Sequence, residues 1–128
     1  MGYIQTRPPV SAANIGGLIA RLESVNTSSI DGIVLSNLVR ACFELALKKR
    51  ELIDLSIGDV AKAGVFGNVM QVGGSGVRVS QQAKQVLQSH IDYLKKSGYL
   101  MSANSPLFPT RNKKRYTPRT LDNHLMAV

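Results

Sequence analysis

Two short basic clusters are the residues of this sequence best suited to chemistry, and that chemistry is contact with phosphate. Lysine and arginine neutralise backbone phosphates, and an aromatic ring beside them can stack on an unpaired base. The alternatives are a solvated loop for the first cluster and, for the second, cations that complement the negative end of a buried helix. The clusters are Arg111, Lys113, Lys114 and Arg115 with Tyr116, and Lys48, Lys49 and Arg50.

Histidines and acidic residues predict no second kind of site. His90 lies on an apolar helical stripe with no second ligand four residues away, so a hydrogen-bonded histidine in the core or at its edge is the better interpretation, and His124 is interpreted in the same way. Glu44, Glu51 and Asp54 could form an acidic pair, but no nucleophile or metal accompanies them. We therefore expect no metal site and no hydrolase.

A glycine-rich stretch resembles a nucleotide-binding loop only in composition. Gly73, Gly74 and Gly76 lack the spacing of a dinucleotide-binding loop, and no Lys-Ser/Thr pair follows them. A permissive turn is the better interpretation. The sequence predicts neither a cofactor nor a small-molecule ligand.

Composition favours one basic domain over residues 1–128. The chain is 44% hydrophobic and 19% charged, which is typical of a globular protein, and its net charge is +8. Residues 105–128 hold five cations against one acid, 5 − 1 = +4, which is half of the total. Such a local excess predicts attraction to polyanions, with nucleic acid first.

Cysteine usage and the apolar runs point to a cytoplasmic location. Cys42 has no partner for an intrachain disulfide and lies in an apolar run, so we expect a buried free thiol in a reducing compartment. No signal-like segment begins the chain, and no apolar run approaches the about 20 residues of a spanning helix.

Helical elements must position the two clusters. Pro8 and Pro9 indicate an extended lead-in over residues 1–9. Apolar spacing predicts a helix from near Ser11 and a buried central helix from Ile30 to Leu47, and a short helix follows over 51–55.

The second half of the chain alternates a hairpin, helices and a loop. Valines among glycines predict a β-hairpin within Val65–Ser80, and Ser80 then caps a strongly amphipathic helix. A basic loop spans 105–116. The last helix begins at Thr117 and Pro118, and its expected inward side chains are Leu121, Leu125 and Met126.

Several of these segments, in this order, resemble the first half of the catalytic domain of tyrosine recombinases, the phage-integrase family. Ala46–Val60 is similar to the family box Gly-Leu-Arg-x-x-Glu-Leu-x-x-Leu-x-x-x-Asp-hydrophobic. Pro106-Leu-Phe-Pro109 resembles the segment before a later helix, and Thr117–Leu125 resembles that helix. The likeness covers about residues 8–128. It implies a mainly α fold with a small antiparallel β-hairpin or three-stranded sheet, as a partial recombinase core.

The resemblance also implies a chemistry, attack of a tyrosine on a DNA phosphodiester held by two arginines, and this chain departs from that pattern. Lys48 stands at the first arginine position and lacks the planar guanidinium fork. Gly74 and Ser75 stand where the family has a hairpin lysine, and Arg78 is the nearest cation.

The remaining catalytic residues have no counterpart. His-x-x-Arg does not occur, and the four tyrosines, at positions 3, 93, 99 and 116, lie where the family does not place its nucleophile. We therefore expect no catalytic residue and no enzyme in this chain alone. The recombinase catalytic core has C-terminal helices that find no counterpart in the likeness. A core without those helices would expose apolar surface, so a homodimer is expected.

The sequence thus predicts a DNA-binding, integrase-like protein without its own strand-cleavage activity. Two alternatives stay open, a protein interaction or regulatory module derived from a recombinase, and a fragment of a full-length integrase. The expected DNA contacts are Lys48, Lys49, Arg50, Arg78, Arg111, Lys113, Lys114, Arg115, Tyr116 and Arg119.

Overall fold

Six helices and four short strands make up the part of the chain that the computed structural model describes, residues 12–25, 27, 30–62, 65–66, 68–72 and 75–126. The extended lead-in, the cap at Ser11 and the glycines at 73 and 74 lie outside it. The helices are α1 (Ala12–Ser24), α2 (Gly32–Leu45), α3 (Lys49–Ile53), α4 (Ile57–Val60), α5 (Gln81–Lys96) and α6 (Pro118–Met126); the strands are β1 (Ala61–Lys62), β2 (Val65–Phe66), β3 (Val69–Val72) and β4 (Ser75–Arg78).

The core surrounds α2, which packs between α1 and α5. Asp31 begins this helix, because its carboxylate accepts from the backbone N–H groups of Ile33 and Val34 at 3.1 and 3.3 Å. Gly32 permits the close approach of α1, since a Cβ there would lie 1.9 Å from the carbonyl oxygen of Leu22. The predicted central helix is confirmed, and it begins and ends two residues inside the expected bounds.

The amphipathic helix α5 is confirmed with its caps. The Ser80 hydroxyl accepts from the backbone N–H of Ala83 at 3.1 Å, and Gly98 leaves the helix with φ +79°. Its apolar stripe faces α2. The buried residues of that stripe are Ala83, Leu87, His90, Ile91 and Leu94.

Two small antiparallel sheets replace the single expected hairpin within Val65–Ser80. β3 pairs with β4, and Val72 lies opposite Ser75, as the hairpin prediction requires. Val65 instead pairs with Lys62 in a separate ribbon of β1 and β2. The valine pattern runs through β2, β3 and β4 without a break and does not include β1, so it predicts strands without showing which strand pairs with which. The mainly helical fold with small antiparallel sheets is therefore confirmed.

The segment between α5 and α6 has little regular structure but is well anchored. Leu107 and Phe108 are fully buried, and isolated bridges join Ser56 to Pro106 and Pro109 to Arg115. Thr117 begins α6, since its hydroxyl accepts from the backbone N–H of Thr120 at 3.2 Å.

One expectation for α6 is wrong. Leu121 is fully buried and Leu125 is partly buried, but Met126 is 83% exposed. Met126 follows Leu121 by five residues, which turns it about 140° away from the inward face. No helix in the described ranges has the length and apolar character to cross a membrane.

Candidate nucleic-acid interface

The tip of the basic loop is a closed turn. Lys113 donates its N–H to the carbonyl of Thr110 at 2.8 Å, and Thr110 donates to the carbonyl of Lys114 at 2.7 Å. The backbone of Lys113 has φ 66°, the left-handed conformation that closes such turns. Residues other than glycine adopt this conformation at some energetic cost. The side chains of Lys113 and Lys114 are exposed. The turn therefore presents two adjacent cations to solvent.

Arg115 anchors this turn to the end of α3. Its Nη1 donates to the carbonyls of Ile53 and Leu55 at 2.8 and 2.9 Å, and its Nη2 donates to Ser56 Oγ at 2.7 Å. Three of the five guanidinium N–H groups are thus bound within the protein. The guanidinium therefore positions the loop, and its expected contact with phosphate stays a prediction.

Tyr116 lies in the interior. Its side chain is only 3% exposed, its hydroxyl lies 2.9 Å from His124 Nδ1, and the two rings meet edge to face at 5.4 Å. Burial raises the pKa of Tyr116 to about 12 and lowers the pKa of His124. The expectation that Tyr116 stacks on a base is wrong, because the ring is already packed in the core.

Arg111 is partly exposed and reaches the start of α2. Its Nε donates to the carbonyl of Thr27 at 3.0 Å, and its Nη1 lies 4.0 Å from a carboxylate oxygen of Asp31. The charge of this arginine is therefore shared with a buried acid, and its contact with DNA stays a prediction.

Asp31 is a centre that the sequence prediction missed. Its carboxylate is 2% exposed, and it accepts from the hydroxyls of Tyr93, at 3.0 and 2.9 Å, and Tyr99, at 2.7 Å. Burial, with the neighbouring carboxylate, raises the pKa of both phenols. Asp31 before an apolar run was a visible N-cap signal. Its tyrosine partners lie 62 and 68 residues away and left no local pattern.

The second basic cluster begins α3. Lys48 precedes the helix, and the Glu51 carboxylate accepts from the backbone N–H of Lys48 at 3.0 Å. These cations follow the end of α2 at Leu45, and the alternative that they complement its negative end stays a prediction. Lys48 and Arg50 are exposed.

Lys49 joins this cluster to α6. Its Nζ lies 2.8 Å from Asp122 Oδ1, and this contact, helped by the charge of Arg50, lowers the pKa of Asp122. Arg119 is exposed and lies one turn before Asp122 on α6. The two clusters therefore meet around α3, which contacts α6 through Lys49 and lies beside the basic loop through Arg115.

Arg78 stands apart from both clusters. It is exposed on β4, opposite Val69, and no hydrogen bond or ion pair among the described residues joins it to the loop or to α3. The structure thus does not gather it with the other predicted contacts.

His90 is the core histidine that the sequence predicted. It is fully buried, its Nδ1 lies 3.0 Å from Asn37 Nδ2, its Nε2 pairs with the Leu107 carbonyl, and its ring stacks on Phe108 at 4.4 Å. Because a carbonyl can only accept, Nε2 carries the proton and Nδ1 accepts from Asn37. Burial lowers the pKa of His90 to about 4. Within the described ranges, no group of histidine, cysteine and acidic residues could hold a metal.

Comparisons with known proteins identify no relative of this chain. A scan against protein-family models, a search of curated proteins and a search of solved structures each return no match to the chain. The likeness to tyrosine recombinases accordingly stays a prediction that rests on the residues quoted for it.

Proposed function

We propose that this protein binds DNA as a recombinase-like module that does not itself cleave strands. The observation that carries the proposal is a set of exposed cations around α3 and α6, none of which has a carboxylate within 4.0 Å among the described residues. Unpaired lysines and arginines lose no ion pair when they contact backbone phosphates. The set is Lys48, Arg50, Lys113, Lys114 and Arg119.

The supports beneath the loop favour binding over a merely solvated surface. Arg111 and Arg115 hold the loop against α2 and α3, so Lys113 and Lys114 extend from a backbone whose conformation is already fixed. A preorganised contact avoids the entropy of ordering a flexible loop when DNA binds.

The absence of strand cleavage is proposed from the tyrosines and from Lys48. The hydroxyls of Tyr93, Tyr99 and Tyr116 are hydrogen-bonded to protein groups, and each has a raised pKa. A phenol in that state is a poor nucleophile. Lys48, at the position where the resembling family has arginine, cannot grip two phosphate oxygens through one planar fork.

The experiment compares two triple variants that each remove three positive charges. One carries Lys113→Gln, Lys114→Gln and Arg119→Gln; its control carries Arg21→Gln, Lys95→Gln and Lys96→Gln, three exposed cations on α1 and α5. In fluorescence anisotropy with duplex DNA, we expect the first variant to bind at least about tenfold more weakly than the control. Equal weakening would show only a response to net charge. A strand-cleavage assay on the wild-type protein should show no product.

A further inference from the structure

A cavity of about 270 Å³ opens between the basic loop and α6. Organic ligands occupy sites of roughly 300–1,000 Å³, so this volume suits one small group. Every lining side chain can donate a hydrogen bond, and none of the described residues around it contributes a carboxylate. The lining residues are Thr110, Asn112, Lys114, Arg115, Thr117, Thr120 and His124.

Arg115 gives this cavity a fixed positive charge. Its hydrogen-bond partners, the carbonyls of Ile53 and Leu55 and the hydroxyl of Ser56, are all neutral. No carboxylate lies within 4.0 Å of its guanidinium in the described part of the chain. The charge is therefore held in place without being neutralised, which is the arrangement that favours an anion nearby.

Two threonine hydroxyls at the cavity each accept a hydrogen bond, and their own protons are left to donate. Thr120 Oγ1 accepts from the Thr117 hydroxyl at 3.0 Å, and Thr110 Oγ1 accepts from the backbone N–H of Lys114 at 3.2 Å. A hydroxyl that accepts one bond still has its single O–H to donate. Thr110 and Thr120 thus each retain a donor at the cavity wall.

His124 also lines the cavity, and its Nδ1 lies 2.9 Å from the Tyr116 hydroxyl. Burial keeps both groups neutral, and either the hydroxyl or an Nδ1–H can be the donor of this bond. In the tautomer that accepts from Tyr116 at Nδ1, the imidazole carries its proton at Nε2 and offers the cavity a further N–H.

We propose that this cavity binds one phosphate group. A tetrahedral oxyanion accepts from every side, so it matches a wall of donors around the fixed charge of Arg115 and the ammonium of Lys114. The inference deepens the proposed function and rests on it for the source, a backbone phosphate of DNA. A free phosphate ester has the same chemistry and is the source to be distinguished.

Lys113 and Lys114 provide a matched test, since they are adjacent and exposed but only Lys114 lines the cavity. Inorganic phosphate is titrated into ¹⁵N-labelled protein at constant ionic strength set with sodium chloride. We expect saturable shifts of the loop and α6 amides, and about tenfold weaker phosphate binding in Lys114→Gln. Lys113→Gln should bind phosphate within about twofold of wild type. Equal loss in both variants overturns the proposal.

A second pair of variants tests the hydroxyl. Thr120→Val removes the donor while keeping the shape, and we expect about fivefold weaker phosphate binding, whereas Thr120→Ser should bind nearly as wild type. The imidazole ¹⁵N spectrum gives an independent readout, because phosphate at Nε2–H should shift the Nε2 resonance of His124. Saturable binding with an unmoved His124 signal and equal behaviour of the two Thr120 variants overturns the site as described.

A short DNA duplex and ribose 5-phosphate distinguish the two sources of the phosphate group, the DNA backbone and a free phosphate ester. If a short DNA duplex displaces phosphate and shifts the same amides, the backbone source is supported. If ribose 5-phosphate binds in the cavity and the duplex does not bind, the cavity proposal stands while the proposed function fails. If the duplex binds but inorganic phosphate moves no lining residue, the proposed function stands and the phosphate site is overturned.

Discussion

The hydroxyl of Tyr99 lies 2.7 Å from a carboxylate oxygen of Asp31, 68 residues earlier in the chain. The same carboxylate caps α2 and faces Arg111, which belongs to the basic loop. The start of the central helix, the segment after α5 and the loop are thus joined at one buried acid. The position of the exposed lysines therefore depends on groups that no DNA strand would touch.

Removal of the Asp31 carboxylate should destabilise the whole fold. In Asp31→Ala, the cap of α2 is lost and the phenols of Tyr93 and Tyr99 lose their acceptor, so we expect about 3 kcal/mol less free energy of unfolding. Urea denaturation measures this. The control Glu23→Ala removes an acid from the exposed ion pair with Arg40 and should stay within about 0.5 kcal/mol of wild type. Equal effects in the two variants would contradict the role given to Asp31.

Arg115 should matter for its shape as well as its charge. Arg115→Lys keeps the charge but cannot bind two carbonyls and a hydroxyl at once, so we expect a loss of about 1–3 kcal/mol in the free energy of unfolding. Lys113→Gln changes the neighbouring turn at an exposed position and should cost less than about 0.5 kcal/mol. If Arg115→Lys unfolds at the wild-type urea concentration, the guanidinium does not anchor the loop.

His90 should make stability fall in mild acid. Burial lowers its pKa from 6.5 to about 4, so between these values the unfolded chain binds a proton that the folded chain does not. The contribution of neutral His90 is complete above about pH 6.5 and is lost as the pH falls toward 4, by up to about 3 kcal/mol. Unfolding of wild type and His90→Gln over this range measures it. An unchanged pH slope in the variant would contradict the assignment.

Cys42 should react slowly in the folded protein. Burial raises the pKa of its thiol from 9.0 to about 11, which lowers the thiolate fraction at pH 8 by about 100-fold. Alkylation with iodoacetamide should be slower by about that factor than in the same chain unfolded in urea. Similar rates in both states would show that the thiol is not shielded.

Local patterns predicted the helices well. Ser80 and Thr117 cap helices as expected, because a cap depends on residues within one turn of it. Strand pairing was harder to predict from the sequence, since Val65 and Val69 have the same β preference but lie in different ribbons. Met126 was misplaced although the spacing could have shown its exposure, because a helical residue five positions after the buried Leu121 points about 140° away from it.

The sequence predicted which residues make up the basic loop, but it did not predict which of their side chains contact the protein interior. Lys113 and Lys114 are exposed as expected, and clustering of charge in the sequence was enough to locate them. Arg111, Arg115 and Tyr116 are chemically equally suited to nucleic acid, but their partners are carbonyls, a carboxylate and an imidazole from distant segments. Which cation faces inward depends on tertiary contacts, and no spacing rule contains them.

The salt dependence of DNA affinity tests the central claim most directly. The logarithm of the association constant for a duplex should fall linearly with the logarithm of salt concentration, by about 0.9 for each phosphate neutralised. We predict that combining Lys113→Gln with Lys114→Gln lowers this slope by about two and leaves the unfolding curve unchanged. A wild-type protein without measurable binding at low salt, or a slope that these substitutions do not alter, would contradict DNA binding through the basic loop.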